Sequence, residues 1–168
     1  RPGDEVTATS TGLEYRFVPK GPAVRPDELE PFVAAVANHD GDYVVASGSL
    51  PQGAPPDIYA RMADAAARRG ARFVLDSSGE GLSETLGRSR VFMVKPSLGE
   101  LEALVGGKLD EAGVYRAAAG LVERGAADMV AVTLGIEGAV LASAEGVIRM
   151  RAIHVITRSA VGAGDSFL

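Results

Sequence analysis

Four short runs along the chain are apolar nearly throughout: DYVVASG at 42–48, ARFVLDS at 71–77, VFMVKPS at 91–97 and DMVAVTLG at 128–135. Unbroken apolar character of this kind predicts strands covered on both faces of a sheet. Between the runs the apolar positions change period. Leu29, Phe32, Val33 and Val36 recur at helical spacing just after Pro26, a residue suited to the first turn of a helix. Ile58, Met62 and Ala65 mark a second helix that Gly70 ends. Leu98, Leu101 and Val105 mark a short third helix; Val114, Ala118, Leu121 and Val122 mark a fourth, closed by Gly125. The alternation predicts βαβ units and a mainly parallel sheet, an α/β fold.

Two segments break the alternation. VTATSTGLEYRFV reads as two strands around Thr11-Gly12, and GAVLASAEGVIRMRA as a second hairpin turning near Glu145-Gly146. The simplest organisation is one α/β domain over 23–168 with a small β attachment over 1–22.

Composition narrows the classes of function. The 168 residues carry a net charge of -5 and no cysteine, so disulfides and thiolate chemistry are excluded. Without a basic stripe nothing marks a nucleic-acid surface. No apolar run approaches the ~20 residues that span a bilayer, and RPGDEVTATS has no apolar signal core. No membrane or nucleic-acid partner is expected, and a cytoplasmic setting is compatible with the missing cysteines. Starting at Arg1 and stopping inside a motif, the chain reads as an excerpt of a longer protein.

Each predicted strand ends in small, polar or glycine residues, and ligands of open α/β sheets gather beyond the carboxyl ends of the strands. In SAVGAGDSFL, Gly162 and Gly164 let backbone N–H groups converge. A helix starting there would offer an anion site, with Asp165 in its first turn as a general base on an incoming hydroxyl. The plain alternative is an acid that complements the helix dipole. Ser47, Gly48 and Ser49 end a strand and suit sugar hydroxyls or phosphate; a polar turn explains them equally. Lys95 stands at another strand end. Ser97 and Glu100 have capping-box spacing, or else Lys95 meets phosphate and Glu100 organises hydrated Mg²⁺. Gly135 and Gly138 make either a hairpin turn or a close approach to a nucleotide. Asp76, Ser77 and Ser78 line the same side or cap a helix. His39 and His154 lack metal-ligand spacing, His39 reading as solvated near a helix end. There is no Walker A pattern, so GAGD is the phosphate-handling candidate.

In order, SGSLPQG, DSSGE, KPSLGELE, TLGIEG and SAVGAGDSF resemble the ribokinase-like sugar kinases of the pfkB family. The branch acting on phosphorylated ketohexoses is the most similar, through STGLEYRFVPKGP and DSSGEGL. The resemblance implies a three-layer α/β/α fold with part of a small β-lid, truncated at both ends. It implies Asp165 as catalytic base and Gly162, Ala163 and Gly164 as the anion hole. Lys95 and Ser97 match the nucleotide-side stretch, Ser97 standing where the family has asparagine. Glu100 matches an acid associated with Mg²⁺, and Thr133, Gly135 and Gly138 the turn against ATP. Ser47 and Ser49 fall on the sugar-phosphate side, with Arg16 a candidate for the sugar's phosphate.

The implied activity is transfer of the γ-phosphate of Mg·ATP to fructose 6-phosphate, fructose 1-phosphate or tagatose 6-phosphate, by a homodimer joined through the lid. A kinase for another sugar or a nucleoside, or a non-catalytic binding relative, is the alternative. A Rossmann dinucleotide domain is disfavoured because GAGD closes the run of strands. With three residues after Asp165, the chain by itself is expected to be inactive.

Overall fold

A computed structural model describes residues 21–152, together with the backbone of Asp4–Thr7 and Glu14–Phe17. Strands β1 (Asp4–Thr7) and β2 (Glu14–Phe17) pair antiparallel as a separate two-stranded sheet, the first of the two expected hairpins. Helix α1 (Pro26–Asn38) follows, with Pro26 in its first turn and the Arg25 amide donating to Glu28 Oε2 at 2.8 Å. Then come β3 (Tyr43–Ser47), α2 (Ile58–Arg68), β4 (Arg72–Asp76), α3 (Gly79–Arg88), β5 (Val91–Val94), α4 (Leu98–Val105), α5 (Glu111–Glu123) and β6 (Ala127–Thr133). The second hairpin, β7 (Ala139–Ser143) and β8 (Gly146–Met150), completes a sheet in the order β3-β4-β5-β6-β7-β8.

The first four strands are parallel and the last two antiparallel. Strand order advances in one direction from β3 to β6. Right-handed crossovers between such strands place α2, α3, α4 and α5 on one face. Among the described residues the helices form that one layer. Its core is aliphatic: Leu75, Val94, Val130, Val132 and Val140 are wholly buried beneath Leu82, Leu101, Ala118 and Leu121. Arg69 ties the layer to α1, its guanidinium donating to Val36 O at 2.9 Å and Gly41 O at 2.7 Å. Those bonds satisfy a carbonyl that the end of α1 would otherwise leave without a partner.

Three expectations need correction. Among the described residues β3 is not covered on both faces. It ends the strand order, and Tyr43 and Val45 are exposed, Val45 by 57%. Only the face carrying Ala46 is closed by the helical layer. Phe32 does not join the core with Leu29 and Val36; α1 has a helical neighbour on one side only. Phe32 instead borders an apolar groove with Tyr43 and Met62. The helix α3 is absent from the periodicity reading, although Ser78, one of the two serines offered as a helix cap, takes its N-cap position. Its apolar signal is two leucines, Leu82 and Leu86, with Thr85 buried between them and its hydroxyl donating to Gly81 O at 2.6 Å.

Gly138 shows why the turn from β6 to β7 needs glycine. Its φ is +98°, and a Cβ there would lie 2.1 Å from the Met150 carbonyl oxygen of β8. Gly138→Ala therefore meets both an unfavourable backbone conformation and a backbone atom that cannot move aside. A loss of about 3 kcal/mol in unfolding free energy is expected by urea denaturation.

Candidate active site

Because β3 to β6 run parallel, their carboxyl ends fall on one edge of the sheet. Register aligns Ser47 with Asp76. The hydrogen-bond ladder continues beyond the strands: Gly48 N donates to Asp76 O (2.8 Å), Lys95 N to Leu75 O (3.0 Å) and Thr133 N to Pro96 O (3.0 Å). An isolated parallel bridge joins Ser97 to Thr133. Four of the five motifs read from the sequence are thus held side by side by backbone alone.

Between them is an open cleft of about 150 Å³ lined by Ser47, Gly48, Ser49, Asp76, Ser77, Ser78 and Glu100. Lys95 lies beneath it. Its side chain is 7% exposed and its Nζ is 3.0 Å from Asp76 Oδ1, itself on a carboxylate only 17% exposed. Its ammonium is thus held against a neighbouring strand end. Pairing keeps both charges tolerable in a place where either alone would be strongly disfavoured.

The two readings of Ser97 and Glu100 coexist. Ser97 N donates to Glu100 Oε2 at 2.8 Å and Glu100 N donates to Ser97 Oγ at 3.3 Å, a complete capping box at the start of α4. Glu100 nevertheless lines the cleft, and its Oε1 makes no hydrogen bond among the described residues. The turn after β6 likewise serves as hairpin and open ledge. Gly135–Glu137 form one 3-10 turn, closed by Gly138 N donating to Gly135 O at 3.1 Å. Among the described residues nothing lies within 4 Å of where a Gly135 Cβ would be, which leaves room for a ligand against the backbone.

Tyr59 was not singled out from the sequence. Near the start of α2, its hydroxyl donates to Gly48 O at 3.1 Å and steadies the β3 turn. Burial pushes its phenol above the ordinary range, and the neighbouring Ser77 hydroxyl partly offsets this. Its only sequence signal is an aromatic residue beside the helix start. His39 ends α1 exposed, its Nδ1 accepting from Gly41 N, as expected. Arg16 stands in β2 opposite Glu5, with no side-chain description. Gly162, Ala163, Gly164, Asp165 and His154 lie outside the described residues.

Among the described residues no three His, Cys, Asp or Glu side chains gather as a metal cage. The donors that meet in the cleft are oxygens, with Asp76 and Glu100 the carboxylates. That set fits a hydrated Mg²⁺, which keeps several waters and takes one or two carboxylates together with substrate phosphates. No helix of the described residues is long and apolar enough to cross a membrane.

Hydroxyls, carboxylates and glycine turns at the carboxyl edge of a parallel sheet define an α/β protein with a polar cleft where ligands of such folds gather. Comparison with known proteins makes this specific. The chain belongs to the pfkB family of carbohydrate kinases, whose family model matches residues 5–168. It is 39% identical over 166 residues to the ATP-dependent 6-phosphofructokinase isozyme 2 of Mycobacterium tuberculosis, covering 97% of this chain and 48% of that one. It is 38% identical over 146 residues to the 1-phosphofructokinase of Xanthomonas campestris, covering 84% of this chain and 44% of the relative. The structure of Escherichia coli phosphofructokinase-2 in complex with substrates and products superposes with a TM-score of 0.88 at 36% identity, over 96% of this chain and 53% of that one. The ribokinase-like fold class is therefore shown. The chain spans about half the length of the curated relatives it matches.

Proposed function

We propose that the protein containing this chain is an ATP-dependent kinase that phosphorylates a hydroxyl of a phosphorylated ketohexose. The observation that carries the reading is the ladder joining Ser47, Asp76, Lys95, Ser97 and Thr133 along one edge. It juxtaposes a hydroxyl-rich cleft and an open glycine turn, as a two-substrate transfer requires. Relatives named 6-phosphofructokinase and 1-phosphofructokinase support the substrate class.

In this reading Ser47 and Ser49 meet the sugar phosphate, with Arg16 directed to its phosphate group. Ser97, Thr133, Gly135 and Gly138 form the nucleotide side. Lys95 has its ammonium on Asp76, so its contribution runs through that carboxylate. Asp76 and the free oxygen of Glu100 would hold hydrated Mg²⁺, which supplies charge neutralisation of the phosphates when bound. The acceptor hydroxyl oxygen forms a bond to the γ-phosphorus while the bond from that phosphorus to the bridging oxygen of ADP breaks. Asp165 takes the hydroxyl proton, and the amides of Gly162, Ala163 and Gly164 meet the charge on the transferring group. Residues 1–22 contribute to a lid through which two copies pair, and residues 23–168 belong to the catalytic domain. The setting is cytoplasmic, where ATP and sugar phosphates are available.

ADP release by the complete gene product tests the reading. Fructose 6-phosphate, fructose 1-phosphate and tagatose 6-phosphate would be compared with unphosphorylated hexoses and nucleosides. Turnover confined to the phosphorylated ketoses is expected. Turnover with a free sugar or nucleoside alone, or ATP binding without ADP release on any acceptor, would refute it.

A further inference from the structure

One group in the cleft has no structural employment. Ser77 is 4% exposed, lines the cleft, and its Oγ makes no well-formed hydrogen bond among the described residues despite the nearby Tyr59 hydroxyl. A buried hydroxyl in that state destabilises the fold, so folding alone does not account for it. Its polar neighbour, the Tyr59 hydroxyl, gives its proton to Gly48 O at 3.1 Å. Ser78 takes the N-cap position of α3, so Ser77 is not required as the cap.

The charges around Ser77 indicate what would meet it. Among the described residues the lining holds two carboxylates and no Lys or Arg, and the buried Lys95 ammonium nearby is already paired with Asp76. Glu80, in the first turn of α3, complements the positive end of that helix. Without the hydrated Mg²⁺ assigned to Asp76 and Glu100, a phosphate group would face these carboxylates with no free Lys or Arg among the described residues. A neutral hydroxyl would instead find four serine hydroxyls able to donate or accept. We propose that Ser77 is a specificity-determining residue, its hydroxyl hydrogen-bonding a sugar hydroxyl of the acceptor and not its phosphate. This rests on the sugar-phosphate kinase reading above.

The test compares the complete gene product with its Ser77→Ala variant, by calorimetry and without nucleotide. The ligands are fructose 6-phosphate, its C4 epimer tagatose 6-phosphate, and the 2,5-anhydro and 1-deoxy analogues of fructose 6-phosphate. Ser77→Ala is expected to weaken fructose 6-phosphate about tenfold, the worth of one neutral hydrogen bond. The analogue lacking or misplacing the hydroxyl that Ser77 reads should bind both proteins alike.

The melting temperature of Ser77→Ala should be equal to or above that of the wild type, because no bond is lost on removing the hydroxyl. A melting temperature several degrees lower would make Ser77 a structural residue and overturn the proposal. So would equal affinity of both proteins for every ligand, or a change confined to Mn²⁺ binding. If the wild type binds no sugar phosphate at all, the kinase reading fails and the Ser77 assignment falls with it. Wild-type binding that Ser77→Ala leaves unchanged overturns the Ser77 assignment alone.

Discussion

Asp165→Asn in the complete gene product is expected to slow phosphoryl transfer by about a hundred- to ten-thousand-fold, the usual contribution of a positioned general base. Asparagine keeps the size of the side chain and its hydrogen-bonding reach but cannot take the acceptor's proton. The loss should therefore appear in kcat, with KM for ATP little changed, because the nucleotide side is built from other residues. ADP-release kinetics and calorimetric ATP titration separate the two. Near-normal turnover would remove Asp165 from the chemistry and leave it as a dipole-complementing acid in a helix turn.

The second large effect concerns the ion pair under the cleft. Lys95→Met should lower the unfolding free energy by about 3–5 kcal/mol, since it leaves the Asp76 carboxylate, 17% exposed, with no counter-charge in a site that folding has already dried. Adding Asp76→Asn should recover most of that loss, because the orphaned charge and not the missing ammonium is the source of the penalty. Urea denaturation of the two single variants and the double variant measures the coupling. Equal losses in Lys95→Met and the double variant would show that Lys95 matters for its packing alone.

Much of this could be read from the chain. The strand runs at 42–48, 71–77 and 91–97 each contain an observed strand and the run at 128–135 covers all of β6 but its first residue, because aliphatic residues meant for the centre of a sheet carry a signal independent of context. The capping box at Ser97 and Glu100 and the hairpin turn at Glu145-Gly146 were legible because both are local. What escaped was relational. Val45 has the same composition as its buried neighbours, and only the strand order makes it exposed. That Lys95 Nζ reaches Asp76 follows from the register of β4 and β5 and not from its strand-end position. The α3 helix hid behind glycines, its stripe reduced to two leucines. Tyr59 steadies the β3 turn through Gly48, a partner that no spacing along the chain encodes.

The ladder that aligns Ser47, Asp76, Lys95, Ser97 and Thr133 has a consequence for how such a site tolerates change over generations. Side chains alternate between faces with a period of two, so an insertion or deletion of a single residue within β4 would carry Asp76 to the opposite face. Substitutions at these strand ends alter one contact at a time. A frame slip of one residue rearranges the whole edge at once. Length variation is therefore excluded from the strands and confined to segments such as the one joining α4 to α5, where no alignment between neighbours is at stake.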